Sequence, residues 1–100
     1  MKKIVLLCAN GMSTGMLMNK MRDAAAQTGY ECTINAYAIS QAQSVAADAD
    51  CVLIGPQIRF EMEGVQKLLP GIPVEVIAMT DYGRLRGDNV LAMARKLIGD

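Results

Sequence analysis

Short runs of apolar and β-branched residues alternate with segments of helical periodicity, and this alternation is the strongest constraint on the fold. The runs lie at residues 3–8, 31–37, 50–54 and 74–78. Strands separated by helices run parallel, and right-handed crossovers place the helices on both faces of the sheet. The sequence therefore predicts an α/β three-layer sandwich, with a four-stranded parallel sheet between two layers of helices. At 100 residues the chain is long enough for one core, so we expect a single domain over residues 1–100.

Apolar residues recur at helical spacing in four segments that follow the strands. The first segment begins at Ser13 and ends at Gly29. The second begins at Ser40, which forms a capping-box pattern with Gln43, and the third ends at Pro70. The residues predicted to face the core are Leu17, Met21, Ala24 and Ala25, then Ala42, Val45, Ala46 and Ala49, then Ile58, Met62, Val65 and Leu69, and finally Val90, Leu91, Ala94, Leu97 and Ile98.

The composition excludes several classes of function. The chain has 10 basic and 10 acidic side chains, so its zero net charge gives no electrostatic basis for binding nucleic acid or an anionic membrane. It contains no His, which excludes catalytic triads, zinc-hydrolase helices and histidine phosphocarriers within this chain. No stretch approaches the ~20 apolar residues that a membrane-spanning helix needs. We therefore expect a cytoplasmic protein that uses neither a metal nor a cofactor.

The loop after the first strand carries the residues best suited to chemistry. Cys8 stands at the carboxyl end of that strand, where ligands bind in parallel sheets. The residues after it are small or turn-forming, so backbone amides can converge on a ligand, and the start of a helix adds partial positive charge. We interpret Cys8 as a nucleophile that becomes a phosphocysteine. The loop residues predicted to hold its phosphate are Ala9, Asn10, Gly11, Met12, Ser13 and Thr14.

A second interpretation of this loop is purely structural. Buried cysteines are most often small apolar residues, and an ordinary strand-to-helix turn explains the glycines. The functional interpretation is favoured because a strand end, a loop of small residues and a helix start coincide at Cys8. A helix N-terminus also lowers a thiol pKa from ~8.5 to ~3.5–7.5. We therefore expect a depressed pKa for Cys8, measurable as iodoacetamide reactivity against pH.

The other two cysteines are predicted to lie in the core. Cys32 and Cys51 fall near the starts of the second and third strands, at the edge of the sheet opposite to Cys8. A typical strand is about 17 Å long, which is too far for a disulfide with Cys8 or for a metal site of three cysteines.

The loop lacks the residue that distinguishes a cysteine phosphatase. Such enzymes carry an arginine six positions after the cysteine, which binds the phosphoryl group bidentately. Thr14 stands there in this chain, and residues 9–19 contain no basic side chain. Hydrolysis requires stabilisation of transition-state charge and an acid for the leaving group, whereas amides and a helix dipole suffice to hold a phosphoryl group. The pattern favours a phosphate carrier, with a small cysteine phosphatase or an arsenate-reductase-like enzyme as the alternative.

Three further segments, together with this loop, resemble a known family. They are Gly-Pro-Gln-Ile at residues 55–58, Leu-Leu-Pro at 68–70 with Pro-Val-Glu-Val-Ile at 73–77, and Asp-Tyr-Gly at 81–83. Over nearly its whole length the chain closely resembles the IIB component of the bacterial phosphoenolpyruvate-dependent sugar phosphotransferase system, lactose/cellobiose type. The resemblance implies a fold like that of the low-molecular-weight cysteine phosphatases. It also implies that Cys8 accepts phosphate from a phosphohistidine on a IIA partner.

The resemblance further implies the second half of the reaction. The phosphate would pass from the cysteine to a sugar bound by the membrane-embedded IIC transporter, which selects the sugar. The chain itself would be a cytoplasmic phosphotransferase subunit, without direct membrane insertion, that associates transiently with the inner face of the membrane through IIC. The missing imidazole would belong to the donor protein.

Several residues near the predicted carboxyl edge have two interpretations each. Gln57 follows the third strand and either lines the pocket or caps the next helix. Asp81 and Tyr82 follow the fourth strand, and we favour a helix cap or a partner contact over a general acid because nothing else supports hydrolysis. Met12 and Met16 either form an adaptable docking surface around Cys8 or fill gaps in the packing.

Overall fold

A computed structural model describes residues 1–10 and 14–100 and contains the predicted parallel sheet. The strands are β1 (Lys2–Cys8), β2 (Cys32–Ala38), β3 (Cys51–Ile54) and β4 (Val74–Val76). They lie in the order β2-β1-β3-β4, and every neighbouring pair is parallel. β1 is therefore a central strand, and all carboxyl ends lie at one edge of the sheet. We call this edge, where β1 ends at Cys8, the carboxyl edge.

The described residues form α1 (Gly15–Thr28), α2 (Ala42–Val45), α3 (Met62–Leu68), α4 (Met79–Gly83) and α5 (Gly87–Ile98), with 3₁₀ segments at Ile39–Gln41 and Pro56–Glu61. α1 ends as predicted, because Gly29 adopts a left-handed conformation with φ of 68°. α4 is absent from the sequence prediction. Five residues are too few to show a helical period. Within the described part of the chain, no helix is both long enough and apolar enough to cross a bilayer.

The capping box predicted at Ser40 is wrong. The turn after β2 begins one residue earlier, as a 3₁₀ segment preceded by Ala38. The side chain that reaches back is that of Gln41, whose Oε1 accepts a hydrogen bond of 3.2 Å from the Ala38 backbone N–H. The difference arises because the chain turns as soon as β2 ends, which leaves no room for the extended residue that Ser40 would need to be.

β1 is buried on both faces, and its alternate residues face two separate cores. Ile4 and Leu6 pack with α1 and α5, while Val5 and Leu7 pack with α2 and α3. All four are 0% exposed. Most residues predicted to face the core are buried, namely Leu17, Met21, Ala25, Val90, Leu91 and Ala94 on the first face and Ala42, Ala46, Ala49, Ile58, Val65 and Leu69 on the second. The strand that ends at Cys8 is thus held from both sides.

α1 and α5 approach each other closely at Gly87. A Cβ at this position would lie 2.4 Å from the carbonyl carbon of Lys20, in the middle of α1. Only glycine permits this contact, because no heavy atom of a side chain fits at such a distance. The close contact fixes α5 against α1, the helix that begins beside Cys8.

Candidate active site

Cys8 lies where the sequence places it, at the carboxyl end of the central strand. It pairs with Ala38 on β2, and the preceding Leu7 pairs with Ile54 on β3. The Cys8 residue is only 2% exposed. Cys8 therefore lies at the carboxyl edge between two flanking strands, and it is buried.

Thr14 makes a direct contact with the sulfur. Its Oγ1 donates a hydrogen bond of 3.5 Å to the Cys8 Sγ, and the residue is 0% exposed. Thr14 occupies the N-cap position of α1, yet its side chain makes no capping hydrogen bond to the helix. Its backbone carbonyl accepts from the Met18 N–H at 2.9 Å and so starts the helical hydrogen bonding. The backbone of Thr14 thus accepts the first hydrogen bond of α1, while its side-chain hydroxyl donates to the Cys8 sulfur.

The rest of the predicted phosphate loop is described only in part. Ala9 and Asn10 follow Cys8 and are exposed, as a loop at the carboxyl edge should be. Gly11, Met12 and Ser13 lie outside the described residues, and so does the docking role considered for Met12. α1 begins at residue 15, so the partial positive charge of its first turn lies next to Thr14, which contacts the sulfur.

Gly55 leaves room for the Gln57 side chain beside Cys8. The Gly55 N–H donates to the Leu7 carbonyl at 2.9 Å, which places Gly55 level with the end of β1. A Cβ built on Gly55 would lie 3.4 Å from the Gln57 Oε1 and 3.8 Å from the Cys8 Cβ. The 3₁₀ segment after β3 begins at Pro56, with Gly55 at its N-cap position. The Gln57 carboxamide oxygen therefore lies close to Gly55, the glycine next to Cys8 at the carboxyl edge.

Asp81 and Tyr82 belong to α4, which follows β4. The Asp81 Oδ1 accepts a hydrogen bond of 3.2 Å from the Asn89 side chain on α5, while the N-cap of α4 is Ala78. The Asp81 carboxylate therefore ties α4 to α5 and does not cap its own helix. Tyr82 is half-buried against the core that contains α1 and α5. Asp81 is already engaged with α5, a contact that does not favour the general-acid role.

The other cysteines lie at the opposite edge of the sheet, as predicted. Cys51 pairs with Ile4 and is 0% exposed, while Cys32 pairs with Lys2 and is only half-buried. Burial raises the pKa of the Cys51 thiol from 9.0 to about 12, and burial also raises the pKa of Cys32. Of the three cysteines, Cys8 is the one that lies at the carboxyl edge. Among residues 1–10 and 14–100, no group of three His, Cys, Asp or Glu side chains is placed to hold a metal ion.

Large apolar side chains are exposed in the segments that follow three of the strands. Met16 is 67% exposed after β1, Phe60 is 77% exposed after β3, and Met79 is 57% exposed after β4. Met21 is fully buried, as its spacing predicts. The exposure of Met16 favours the docking interpretation over gap filling. Sequence reasoning missed Phe60 and Met79, because exposure depends on the turn that each segment takes after its strand.

The sequence matches the family model described as PTS system, Lactose/Cellobiose specific IIB subunit, over residues 3–93. It is 41% identical over 104 residues to the PTS system galactose-specific EIIB component of Lactococcus lactis subsp. cremoris, covering 97% of this chain and 96% of that protein. Identity and coverage are the same for the cellobiose-specific EIIB component of Lactococcus lactis subsp. lactis. The oligo-beta-mannoside-specific EIIB component of Bacillus subtilis is also 41% identical, over 100 residues, with 98% of this chain and 97% of that protein covered.

Solved structures share the architecture. The solution structure of the cellobiose-specific phosphotransferase IIB component from Borrelia burgdorferi has a TM-score of 0.83 at 34% identity, covering 98% of this chain and 92% of that chain. The lactose-specific IIB component domain from Streptococcus pneumoniae has a TM-score of 0.80 and covers 95% of each chain. At 21% identity, the second likeness shows the fold alone. The predicted fold class, a four-stranded parallel sheet with flanking helices, is confirmed.

Proposed function

The chain belongs to the lactose/cellobiose-specific IIB family of the sugar phosphotransferase system, and from this premise we propose that it is a phosphocarrier with Cys8 as its phosphorylated residue. The donor is a phosphohistidine on a IIA protein, and the acceptor is a sugar bound by a IIC transporter. The chain acts in the cytoplasm and meets the membrane only through IIC.

The observation that carries this proposal is the placement of the Cys8 thiol. It lies at the carboxyl end of the central strand, its sulfur accepts a hydrogen bond from the buried Thr14 hydroxyl, and a helix begins at residue 15. In the first transfer the thiolate attacks the phosphorus of the phosphohistidine. The S–P bond forms, the N–P bond breaks, and the electron pair stays on the imidazole, which then takes up a proton. Ala9, Asn10, Gly11, Met12, Ser13 and Thr14 form the loop proposed to hold the phosphoryl group.

In the second transfer a sugar hydroxyl attacks the phosphorus. The S–P bond breaks, its electron pair returns to the sulfur, and the hydroxyl proton leaves to a base of the transporter or to water. Thr14 rather than arginine stands six positions after the cysteine. Without a cationic clamp, the attack of water gains little transition-state stabilisation, so the phosphocysteine survives until an acceptor arrives.

Gln57, Asp81 and Tyr82 are proposed to have supporting roles around this centre. The Gln57 carboxamide oxygen lies close to Gly55, and its proposed role is to contact the phosphoryl group or a partner. Asp81 and Tyr82 lie on α4, whose exposed Met79 is suited to a partner contact. The Met16 and Phe60 side chains, which follow β1 and β3, are also exposed and can take part in such contacts.

We propose that the IIC transporter, and not this chain, selects the sugar. Three relatives with the same identity to this chain, 41%, are named for galactose, cellobiose and oligo-β-mannosides. Equal similarity to subunits of different sugar specificity is what we expect if the IIB chain carries phosphate and another subunit selects the sugar.

The test is the intact mass of the protein after mixing with a phosphorylated IIA protein. We expect one phosphate adduct, which is lost in Cys8→Ser and retained in the matched control Cys32→Ser at the opposite edge of the sheet. An adduct that persists in Cys8→Ala would refute the assignment of Cys8. Steady turnover of a chromogenic aryl phosphate by the protein alone would show a phosphatase instead of a carrier.

A further inference from the structure

We infer that Thr14 is a positioning residue that makes Cys8 a good leaving group, because its hydroxyl stabilises the thiolate more than it stabilises the phosphorylated sulfur. The inference rests on the proposed function of Cys8 and adds a cause for the direction in which the phosphate flows. On this basis, the Thr14 hydroxyl controls how readily the subunit gives its phosphate away.

The Thr14 hydroxyl is placed to donate its hydrogen bond to the Cys8 sulfur. The residue is 0% exposed, so water does not compete for the hydroxyl. The side chain makes no capping hydrogen bond to α1, although an N-cap threonine usually caps its helix. Its donor instead faces the Cys8 Sγ at 3.5 Å. Among the described residues, Thr14 has the one buried polar side chain.

The fixed backbone keeps the donor in place through the reaction. The Thr14 carbonyl is bound by the Met18 N–H in the first turn of α1. A β-branched side chain on such a backbone has few rotamers available, so the hydroxyl loses little freedom when it bonds to the sulfur. The donor is therefore oriented before the chemical step, which is the requirement for electrostatic preorganisation.

A hydroxyl donor acts differently on the two states of the carrier. A thiolate bears a full negative charge and is a strong acceptor, whereas a sulfur bonded to phosphorus is neutral and a weak one. When the S–P bond breaks during transfer, charge returns to the sulfur and the Thr14 hydrogen bond strengthens. The hydroxyl thus lowers the free energy of the dephosphorylated state relative to the phosphocysteine. It favours the release of phosphate to the acceptor.

The inference predicts a change in the phosphoryl equilibrium between Cys8 and the donor. Thr14→Val keeps the shape of the side chain but removes the hydroxyl, and Thr14→Ser keeps the hydroxyl. Each variant is mixed with phosphorylated IIA protein at a pH where Cys8 is a thiolate, and the phosphorylated fractions are read by intact mass. We expect Thr14→Val to shift the equilibrium about tenfold toward phosphocysteine and Thr14→Ser to restore the original position.

Alkylation supplies a measurement that needs no partner protein. We expect the midpoint of the iodoacetamide rate against pH to move upward by about one pH unit in Thr14→Val and to return in Thr14→Ser. Thermal unfolding of the three proteins identifies a variant that fails to fold. If Thr14→Val does not fold, Thr14→Ser against Thr14→Ala replaces the pair, with the same expected order.

Two results would overturn the inference while leaving the carrier function intact. One is an unchanged equilibrium and alkylation midpoint in Thr14→Val. The other is a shift of the equilibrium away from phosphocysteine, which would mean that the hydroxyl bonds to phosphoryl oxygens rather than to sulfur. A failure of the proposed function looks different, because the unsubstituted protein would then take no phosphate from the donor at all.

Discussion

Two glycines that lie in helices, Gly87 and Gly64, differ in the space available for a side chain. A Cβ on Gly87 would lie 2.4 Å from the Lys20 carbonyl carbon and 2.6 Å from the Lys20 carbonyl oxygen. A Cβ on Gly64, in α3, would meet no atom within 4 Å. Because backbone atoms block the first position and open space surrounds the second, alanine should have opposite effects at the two sites.

We therefore expect Gly87→Ala to lower the free energy of unfolding by about 1–3 kcal/mol, because α5 must move away from α1. Gly64→Ala is the matched control and should raise it by about 0.5–1 kcal/mol through helix propensity. Urea unfolding followed by circular dichroism measures both. Equal effects of the two substitutions would contradict the close contact between the helices.

Arginine at position 22 links two elements, α1 and the edge strand β2. Its Nε donates to the Ile34 backbone carbonyl at 2.9 Å, and its Nη2 donates to the Asn35 Oδ1 at 2.9 Å. Through this fork α1 is fixed over the outer strand of the sheet.

Arg22→Met should lower the free energy of unfolding by about 1–2 kcal/mol, since it leaves the partly buried Ile34 carbonyl without this donor. Lys20→Met is the control, because Lys20 is exposed on the same helix and methionine has a similar helix propensity. We expect that control to change stability by less than about 0.5 kcal/mol. A cost for Lys20→Met as large as for Arg22→Met would remove the assigned role of the guanidinium.

The elements of this protein divide into those visible in the sequence and those set by tertiary contact. All four predicted strands lie within two residues of the observed ones at either end, because β-branched runs and turn residues mark them locally. α4 and the 3₁₀ segments are too short to carry a period. The position of Cys8 at the end of β1 followed from where the first apolar run ends, but the contact of Thr14 with its sulfur did not follow from the sequence. A threonine before a helix is ordinarily a cap, and only the packed structure shows its hydroxyl directed to the thiol.

The buried thiol of Cys51 makes the stability of the whole molecule sensitive to alkaline pH. Burial raises its pKa from 9.0 to about 12 in the folded protein. Between these values the unfolded chain has lost a proton that the folded chain still holds, so stability is fully present below pH 9.0 and falls as the pH rises toward about 12. Tyr30, whose pKa is raised to about 12 by burial and by its hydrogen bond to Asp100, acts in the same direction.

Comparison of the protein with Cys51→Ala isolates this contribution. The free energy of unfolding is measured between pH 8 and pH 11. We expect the unsubstituted protein to lose up to about 1.4 kcal/mol per pH unit more than the variant above pH 9. At pH 8 the variant is less stable because the substitution leaves a cavity, so the slope of stability against pH, rather than its absolute value, is the readout. Parallel slopes would mean that Cys51 does not titrate on unfolding.

Residues 2 and 100 lie at the edge of the sheet opposite to the carboxyl edge. The Lys2 backbone N–H donates to the Glu31 carbonyl, and the Asp100 side chain accepts from the Tyr30 hydroxyl at 2.7 Å, so residues 2 and 100 meet the same short connection before β2. This connection is one strand length from Cys8. A fluorophore, a surface linker or a second domain joined at either position therefore points away from the thiol. Residues 2 and 100 are therefore anchoring points that leave the carboxyl edge accessible to a partner.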